Sequence, residues 1–449
     1  MTAAQDNRQL ADSKEAPDFA HVNSVLEDEK PSAVEERDYT GTAKKTDPEE
    51  IRLVRKLDLW IMPCLCLMYF LNYVDRNAIA QARLNNLEED LNMTGTEFNT
   101  TVSILFVGYV LMQVPSNMLI TKVRPGIYMS AWMLIWAVVS EVASRIALLY
   151  CAQILATGFS GLIAAGIFAG MDGLKGIEGW RWLFIVEGAA TGLVSLIGFV
   201  LLPNTPLTTH WLNEREKQLA HSRMEKDKLS DASDEKASSW EGLKQACSDK
   251  RTWLFCLMQN FHLSACSFNS FFPTVVKTLG FNTTITLVMT CPPFIFAGAA
   301  GIGFGWSSGR FHERTWHITA GLTIAIAGFA LAAATLNTAA RYVACFIFPV
   351  GAYAVNSVII GWAASTLSQT KEKKAVVLAM TNVGGQIGYI YGAYLWPKSD
   401  GPRYGIGFGA SAGFAFCSIV CAWCIRILLV RENRRIRAST TEHINLYGY

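Results

Sequence analysis

Eleven stretches of this chain are apolar over bilayer-crossing lengths, and that feature excludes most folds otherwise open to 449 residues. They run over about 58–82, 101–121, 127–143, 147–170 and 182–202, then 252–279, 284–306, 315–336, 341–366, 375–397 and 404–430. A helix rises about 1.5 Å per residue and a hydrocarbon layer is about 30 Å thick, so each stretch suits a crossing helix. Charge sits elsewhere. Of 76 charged residues only 31 fall in the 326 residues outside 1–56, 203–251 and 432–449, far below the roughly one in four of soluble domains. The expected fold class is an all-α polytopic membrane protein with two helical half-bundles and about 11 apolar spans. A net charge of +2 gives no basis for nucleic-acid binding, and the partner that the composition requires is the lipid bilayer.

Ten of the eleven cysteines lie inside apolar runs and read as small hydrophobes, so neither a disulfide framework nor a metal site is expected. Cys421 and Cys424 have CxxC spacing but no second Cys or His pair nearby. The first 50 residues are polar and acidic, unlike a cleavable signal peptide, and the first run follows Arg52, Arg55 and Lys56. The domain reading is a disordered cytoplasmic tail at 1–50, half-bundles at 51–202 and 252–431, a cytoplasmic linker at 203–251 and a cytoplasmic tail at 432–449. Parity conflicts with charge. Basic clusters at Arg310/Arg314, Lys371/Lys373/Lys374 and Arg431/Arg434/Arg435/Arg437 place linker and C-terminal segment on the cytoplasmic side. Five spans before the linker would instead carry it outside.

Polar side chains recur at helical spacing inside the runs: Asn72, Asp75 and Arg76 on the first; Tyr109, Gln113 and Asn117 on the second. Gln259, His262, Cys266 and Asn269 follow on the sixth, Asn356 on the ninth, and Asn382, Gln386 and Tyr389 on the tenth. Lipid cannot satisfy such faces, so they look inward. Each residue taken singly fits interhelical hydrogen bonding; as a set they fit a water-filled cavity. His262 titrates near neutral pH when free, but a lone His also fits a hydrogen-bonded packing role.

The stretch LNYVDRNAIAQARLNNLEEDLNMTGTEFNTTVSILFVGYVLMQVPSN at 71–117 resembles the fungal anion:cation symporter branch of the major facilitator superfamily, the allantoate, nicotinate and pantothenate permeases. The likeness continues through ITKVRPGIY at 120–128, GWRWLFIVEG at 179–188, LPNTP at 202–206, GWSSGRFHERTWHI at 305–318 and YLWPKSDGPRYGIGF at 394–408. It implies a twelve-span transporter acting as a monomer in the plasma membrane, moving a small organic anion together with protons and needing no cofactor. By the same resemblance Arg76 faces the central cavity and binds the substrate carboxylate, which its planar fork of donors suits. Asp75 becomes the proton site. Asn72, Tyr109, Gln113, Gln259, His262, Asn356, Asn382 and Gln386 are the remaining candidate substrate-binding residues.

Two departures stand out. Around Val142–Tyr150 the chain passes straight from the third run to a segment like the family's fifth, so the fourth span, with its acid, is absent; the charge parity points to the same place. Gly309 stands where the family often has Asp in the cytoplasmic loop between its eighth and ninth spans, which implies a weaker conformational lock. Glu187 reads as structural, holding a helix end near Arg181, and Glu141 lies beside the junction. The sequons at Asn92, Asn99 and Asn282 fall in loops that the family topology places outside, and are candidate glycosylation sites.

Two rival classes remain. Gly158-Phe159-Ser160-Gly161 matches the GxSG of intramembrane serine proteases, which need a neighbouring His, here His262 or His317. The motif is short and lies in a Gly-rich span that the resemblance explains, so no enzyme activity is expected. The second rival is a truncated or receptor-like member that does not transport.

Overall fold

The computed structural model describes residues 48–120, 143–202, 207, 209, 211–222, 239–311, 313–439 and 447–449. The expected tail at 1–50 falls almost wholly outside these residues, as does the third apolar run apart from Ala143. Among the described residues the chain is helical. In the first half, α1 is Pro48–Ala82, α2 Glu97–Ile120, α3 Ala143–Met171 and α4 Gly179–Leu201. Helix α5, Ser239–Ser248, ends the linker. The second half holds α6 (Lys250–Ala265), α7 (Phe272–Lys277), α8 (Thr283–Phe311), α9 (Thr315–Ala334), α10 (Thr338–Thr366), α11 (Lys371–Gly392) and α12 (Gly405–Ser439). A 3₁₀ stretch, Cys266–Phe271, continues α6 into α7, so the sixth run crosses as a broken helix. Among the described residues seven helices are long and apolar enough to span a membrane by length and composition. Helix α11 is not among them: its charged first turn and polar Asn382 and Gln386 lower its mean hydropathy.

Side-chain contacts fix which helix ends lie together. At one end Lys56 pairs with Glu216 at 2.7 Å, Trp60 stacks on Trp211, and Lys373 pairs with Asp249 at 2.8 Å. That is the linker end. At the opposite end Trp180 donates to Asp90, Lys398 pairs with Glu88 at 3.0 Å, and Arg341 donates to Thr278 and the Pro402 carbonyl. Helix α2 starts at this opposite end and, at about 1.5 Å per residue, returns to the linker end. Helix α3 lies antiparallel to α8: Ile154 meets Gly298, Gly158 meets Cys291 and Phe294, and Gly161 meets Leu287 and Thr290. Thr283 begins α8 at the opposite end, so Ala143 begins α3 at the linker end. Ile120 and Ala143 therefore lie at the same end, and the four described helices before the linker, α1 to α4, alternate in direction and return to the linker end.

Close approach sets the contact between halves. A Cβ on Gly161 would lie 2.6 Å from the Leu287 carbonyl oxygen, so only glycine lets α3 and α8 pack backbone to backbone there. The second such contact is α2 against α11, where Asn99 donates to the Ala393 carbonyl and Ser103 to the Ile390 carbonyl. Phe98, Val102 and Phe106 of α2 join Phe271, Phe272 and Trp396 in one buried cluster, closing the halves on each other at the end opposite the linker.

At the linker end the second half is tied tightly. Asp249 accepts from Arg251 and Lys373. Burial works against its carboxylate, but those hydrogen bonds outweigh it and hold the pKa down at about 2. Gly309, in the last turn of α8, lacks the family's acid, yet Glu313 just beyond that helix pairs with Arg426 of α12 at 2.6 Å and ties the α8–α9 connection there. Tyr447–Tyr449 is seated against the bundle: Trp362 donates to the Gly448 carbonyl, and Asn433 and Tyr447 exchange two hydrogen bonds.

Candidate functional site

Arg76 sits on α1 where α1, α2 and α11 converge. Its guanidinium carbon lies 5.2 Å from the ring centre of Tyr73 and 5.3 Å from those of Phe106 and Tyr109. Phe106 stacks on Tyr389 of α11 with centroids 4.6 Å apart, so the aromatic cage is shared by both halves. Asn382, also on α11, stands beside Tyr109. Among the described residues no carboxylate lies within ion-pair distance of Arg76. A half-buried cation held only by ring faces keeps its hydrogen-bond donors free for an anion.

The second half contributes a neutral hydrogen-bonded set. Gln259 donates to Asn356 at 2.9 Å, and its own carbonyl oxygen is buried without a partner among the described residues. Asn260 donates to the Gly384 carbonyl and accepts from Tyr391. His262 is 1% exposed, its Nε2 2.9 Å from the Ala352 carbonyl oxygen, within the packing between α6 and α10. That placement matches the packing role rather than a cavity-facing one. Gln113 and Gln386 each bury a carbonyl oxygen without a partner among the described residues, and Asn72 is half-buried on α1. The structure thus brings together Arg76, Tyr109 and Asn382 at one place and Gln259 and Asn356 at another.

Asp75, next to Arg76, lies in a different environment. It accepts from Thr191 of α4 at 2.9 Å and shares with Glu187, Phe184 and Gly188 a cavity of about 210 Å³. Glu187 does not pair with Arg181, whose guanidinium lies over Trp180 at 5.1 Å, so the expected helix-end tie is absent.

The sequons divide. Asn92 and Asn282 are exposed at the end opposite the linker. Asn99 is 3% exposed, and its side-chain nitrogen, the atom a glycan would occupy, donates to the Ala393 carbonyl. A glycan there would have to break the α2–α11 contact, so Asn99 is corrected from a glycosylation candidate to an interhelical tie. Ser160 of the GxSG motif is fully buried, accepts from Gln81 and donates to the Thr157 carbonyl. His262 and His317 are instead held by Ala352 and Ser307, so neither of these two candidates is bonded to Ser160 as the base a protease needs.

Sequence reasoning passed over Tyr73, Phe106 and Thr191. Tyr73 stands three residues before Arg76, a helical spacing that was readable; Phe106 and Thr191 come from other helices and carry no local signal.

Two helical half-bundles, crossing helices with polar inner faces and a cation held between the halves define a polytopic transporter. The sequence profile of the Major Facilitator Superfamily matches residues 136–393, and the chain belongs to that family. It is 28% identical to the major facilitator-type transporter hxnP of Emericella nidulans, over 87% of this chain and 86% of the relative. It is also 28% identical to the MFS-type transporter efuF of Hormonema carpetanum, over 95% and 94%. In solved structures it resembles a bacterial homologue of the human lysosomal transporter Spinster in an inward-facing, occupied conformation (TM-score 0.59, 14% identity, 86% of this chain and 99% of that one). The D-xylose–proton symporter matches with TM-score 0.59 and 12% identity, over 81% and 97%. These last two likenesses concern the fold.

Proposed function

We propose that this chain is a proton-coupled symporter of small organic anions, in the allantoate, nicotinate and pantothenate permease branch, acting as a monomer in the plasma membrane with the linker end cytoplasmic. One observation carries the reading: Arg76 lies between the halves, caged by Tyr73, Phe106 and Tyr109, without an acidic partner among the described residues. Buried cations are retained where they are paired or used. A carboxylate entering from the linker end meets a fork of donors with aromatic walls, while contacts such as Glu88–Lys398 hold the far end shut. Rocking of one half against the other about this midplane point is the transport step.

The test is uptake of labelled nicotinate, pantothenate and allantoate by permease-deficient yeast expressing the full chain. Arg76→Lys keeps the charge and loses the fork, so uptake falls at least tenfold with unchanged protein level and location. Uptake near that of the unaltered chain removes Arg76 from the site.

A second reading concerns completeness. Ile120 and Ala143 both lie at the linker end, and the 22 residues of sequence between them are fewer than two crossings of about 20 each would need. The efuF match extends over 481 aligned positions, more than the 449 residues of this chain, so that relative carries residues without counterparts here. Both observations favour a chain lacking the family's fourth span and therefore transporting weakly. Restoring one further apolar span ahead of Ala143 then raises uptake several-fold and makes it dependent on external pH; equal pH-driven uptake by both chains removes this reading.

A further inference from the structure

Helix α4 brings a second acid to α1. Glu187 is 3% exposed, and among the described residues neither of its carboxylate oxygens has a hydrogen-bond partner. Asp75 has one oxygen on the Thr191 hydroxyl and the other buried and unpartnered. Both acids line the same cavity of about 210 Å³, whose other walls are Phe184 and Gly188. Two carboxylates facing one apolar cavity need a positive counterpart.

The neighbouring cations are turned elsewhere. Arg76, adjacent in sequence, lies in its cage of Tyr73, Phe106 and Tyr109. Arg181 is exposed over Trp180, almost two turns from Glu187. From α3, packed against α4, the described side chains at 153–171 include no acid or base; the polar ones near α1 are Gln153, Thr157 and Ser160. Glu141 and Arg145 lie where no side chain is described. A divalent metal asks for six or more oxygen ligands or a tetrahedral N/S set, and two carboxylates with one hydroxyl fall short of either.

We propose that Asp75 and Glu187 together form a proton-holding carboxylate pair within the first half-bundle, separate from the Arg76 anion site, with Thr191 as its positioning residue. The pair holds one proton, on Glu187, while Asp75 across the cavity keeps its charge on the Thr191 hydroxyl. Release of that proton breaks a carboxyl O–H bond as an O–H bond to water forms, and requires no other reactant. Thr191 donates to Asp75 and so directs the proton toward Glu187. As the coupling site this pair rests on the symport reading above; as a proton-binding site it stands without it.

The experiment is an infrared pH titration of the purified full chain in lipid nanodiscs, with no substrate added. A protonated-carboxyl C=O band is present at neutral pH in the unaltered protein and is lost in Glu187→Gln. Thr191→Val keeps both acids and shifts the pH midpoint of the band by half a unit or more, which a merely structural role would not do. A band identical in all three proteins overturns the proposal, as does one abolished by sodium at fixed pH, which would make the pair a cation site. Should Glu187→Gln not fold, the Thr191→Val midpoint decides alone. In a parallel arm, Glu187→Gln retains exchange of labelled nicotinate across yeast membranes but loses accumulation driven by a pH gradient. Absence of nicotinate exchange by the unaltered chain counts against the anion reading and leaves the infrared result to decide the pair.

Discussion

In the second half-bundle Gln259 donates to Asn356, Asn260 bridges Gly384 and Tyr391, and His262 meets the Ala352 carbonyl, all neutral groups meeting neutral groups. In the first half-bundle Arg76, Asp75 and Glu187 are three buried or half-buried ionisable groups, none paired with an opposite charge among the described residues. The difference teaches where work is done. A satisfied neutral network rigidifies a bundle; an unpaired charge in a low-dielectric place is costly and persists where it meets a ligand or a proton. The second half reads as the frame and the first as the working face.

Arg76→Lys bears hardest on this division. Hydrogen bonds to a charged group are worth about 1.5–3 kcal/mol, so losing the guanidinium fork lowers carboxylate uptake roughly 10- to 100-fold. Gln259→Leu in the frame leaves the charge pattern alone and changes uptake no more than roughly threefold. Comparable losses at the two positions, in labelled-substrate uptake at matched expression, would break the comparison.

Next in size is the tie that fixes the frame to the linker. Asp249→Asn removes a carboxylate whose pKa lies at about 2 rather than 3.8, a stabilisation of about 2 kcal/mol. Because the folded-state value is depressed, that stabilisation is fully present above 3.8 and is lost as pH falls through about 2. Thermal unfolding of the purified protein should show the deficit at neutral pH and its disappearance in strong acid. An equal deficit at every pH would mean that packing, not charge, holds α5 and α6 to α11.

The smallest effect sharpens the frame itself. A double-mutant cycle of Gln259→Leu with Asn356→Leu should return a coupling of about 0.6 kcal/mol, the usual scale for a neutral interhelical bond in a membrane. A value near zero would show that the pair is not a structural unit. Glycan mapping adds a topological check: Asn92 and Asn282 modified and Asn99 unmodified is the expected pattern, and a glycan on Asn99 would contradict the closed α2–α11 contact.

Ten of the eleven apolar runs correspond to described helices because hydropathy is a local property and lipid enforces backbone hydrogen bonding within each segment. Arg76 was legible for a related reason: a charge inside a span is rare enough to be a signal in one dimension. Glu187 was visible too, but its role was misread, since nothing in GWRWLFIVEG tells that Arg181 turns onto Trp180 and leaves the acid facing Asp75. Asn99 failed similarly. A sequon specifies three residues, whereas acceptance of a glycan depends on whether the amide is already donating to another helix.

The amino-acid sequence by itself determined that the chain lives in a membrane, that it has two helical halves around a charged linker, and that its first half holds Asp75 and Arg76, because all of these follow from the spacing of apolar and charged residues along one dimension. Only the tertiary structure decided that these adjacent residues part company, Arg76 toward the rings of Tyr73, Phe106 and Tyr109 and Asp75 toward Thr191 and the cavity it shares with Glu187. Successive residues on a helix point about 100° apart, so which neighbours they meet is set by the helices packed on either side.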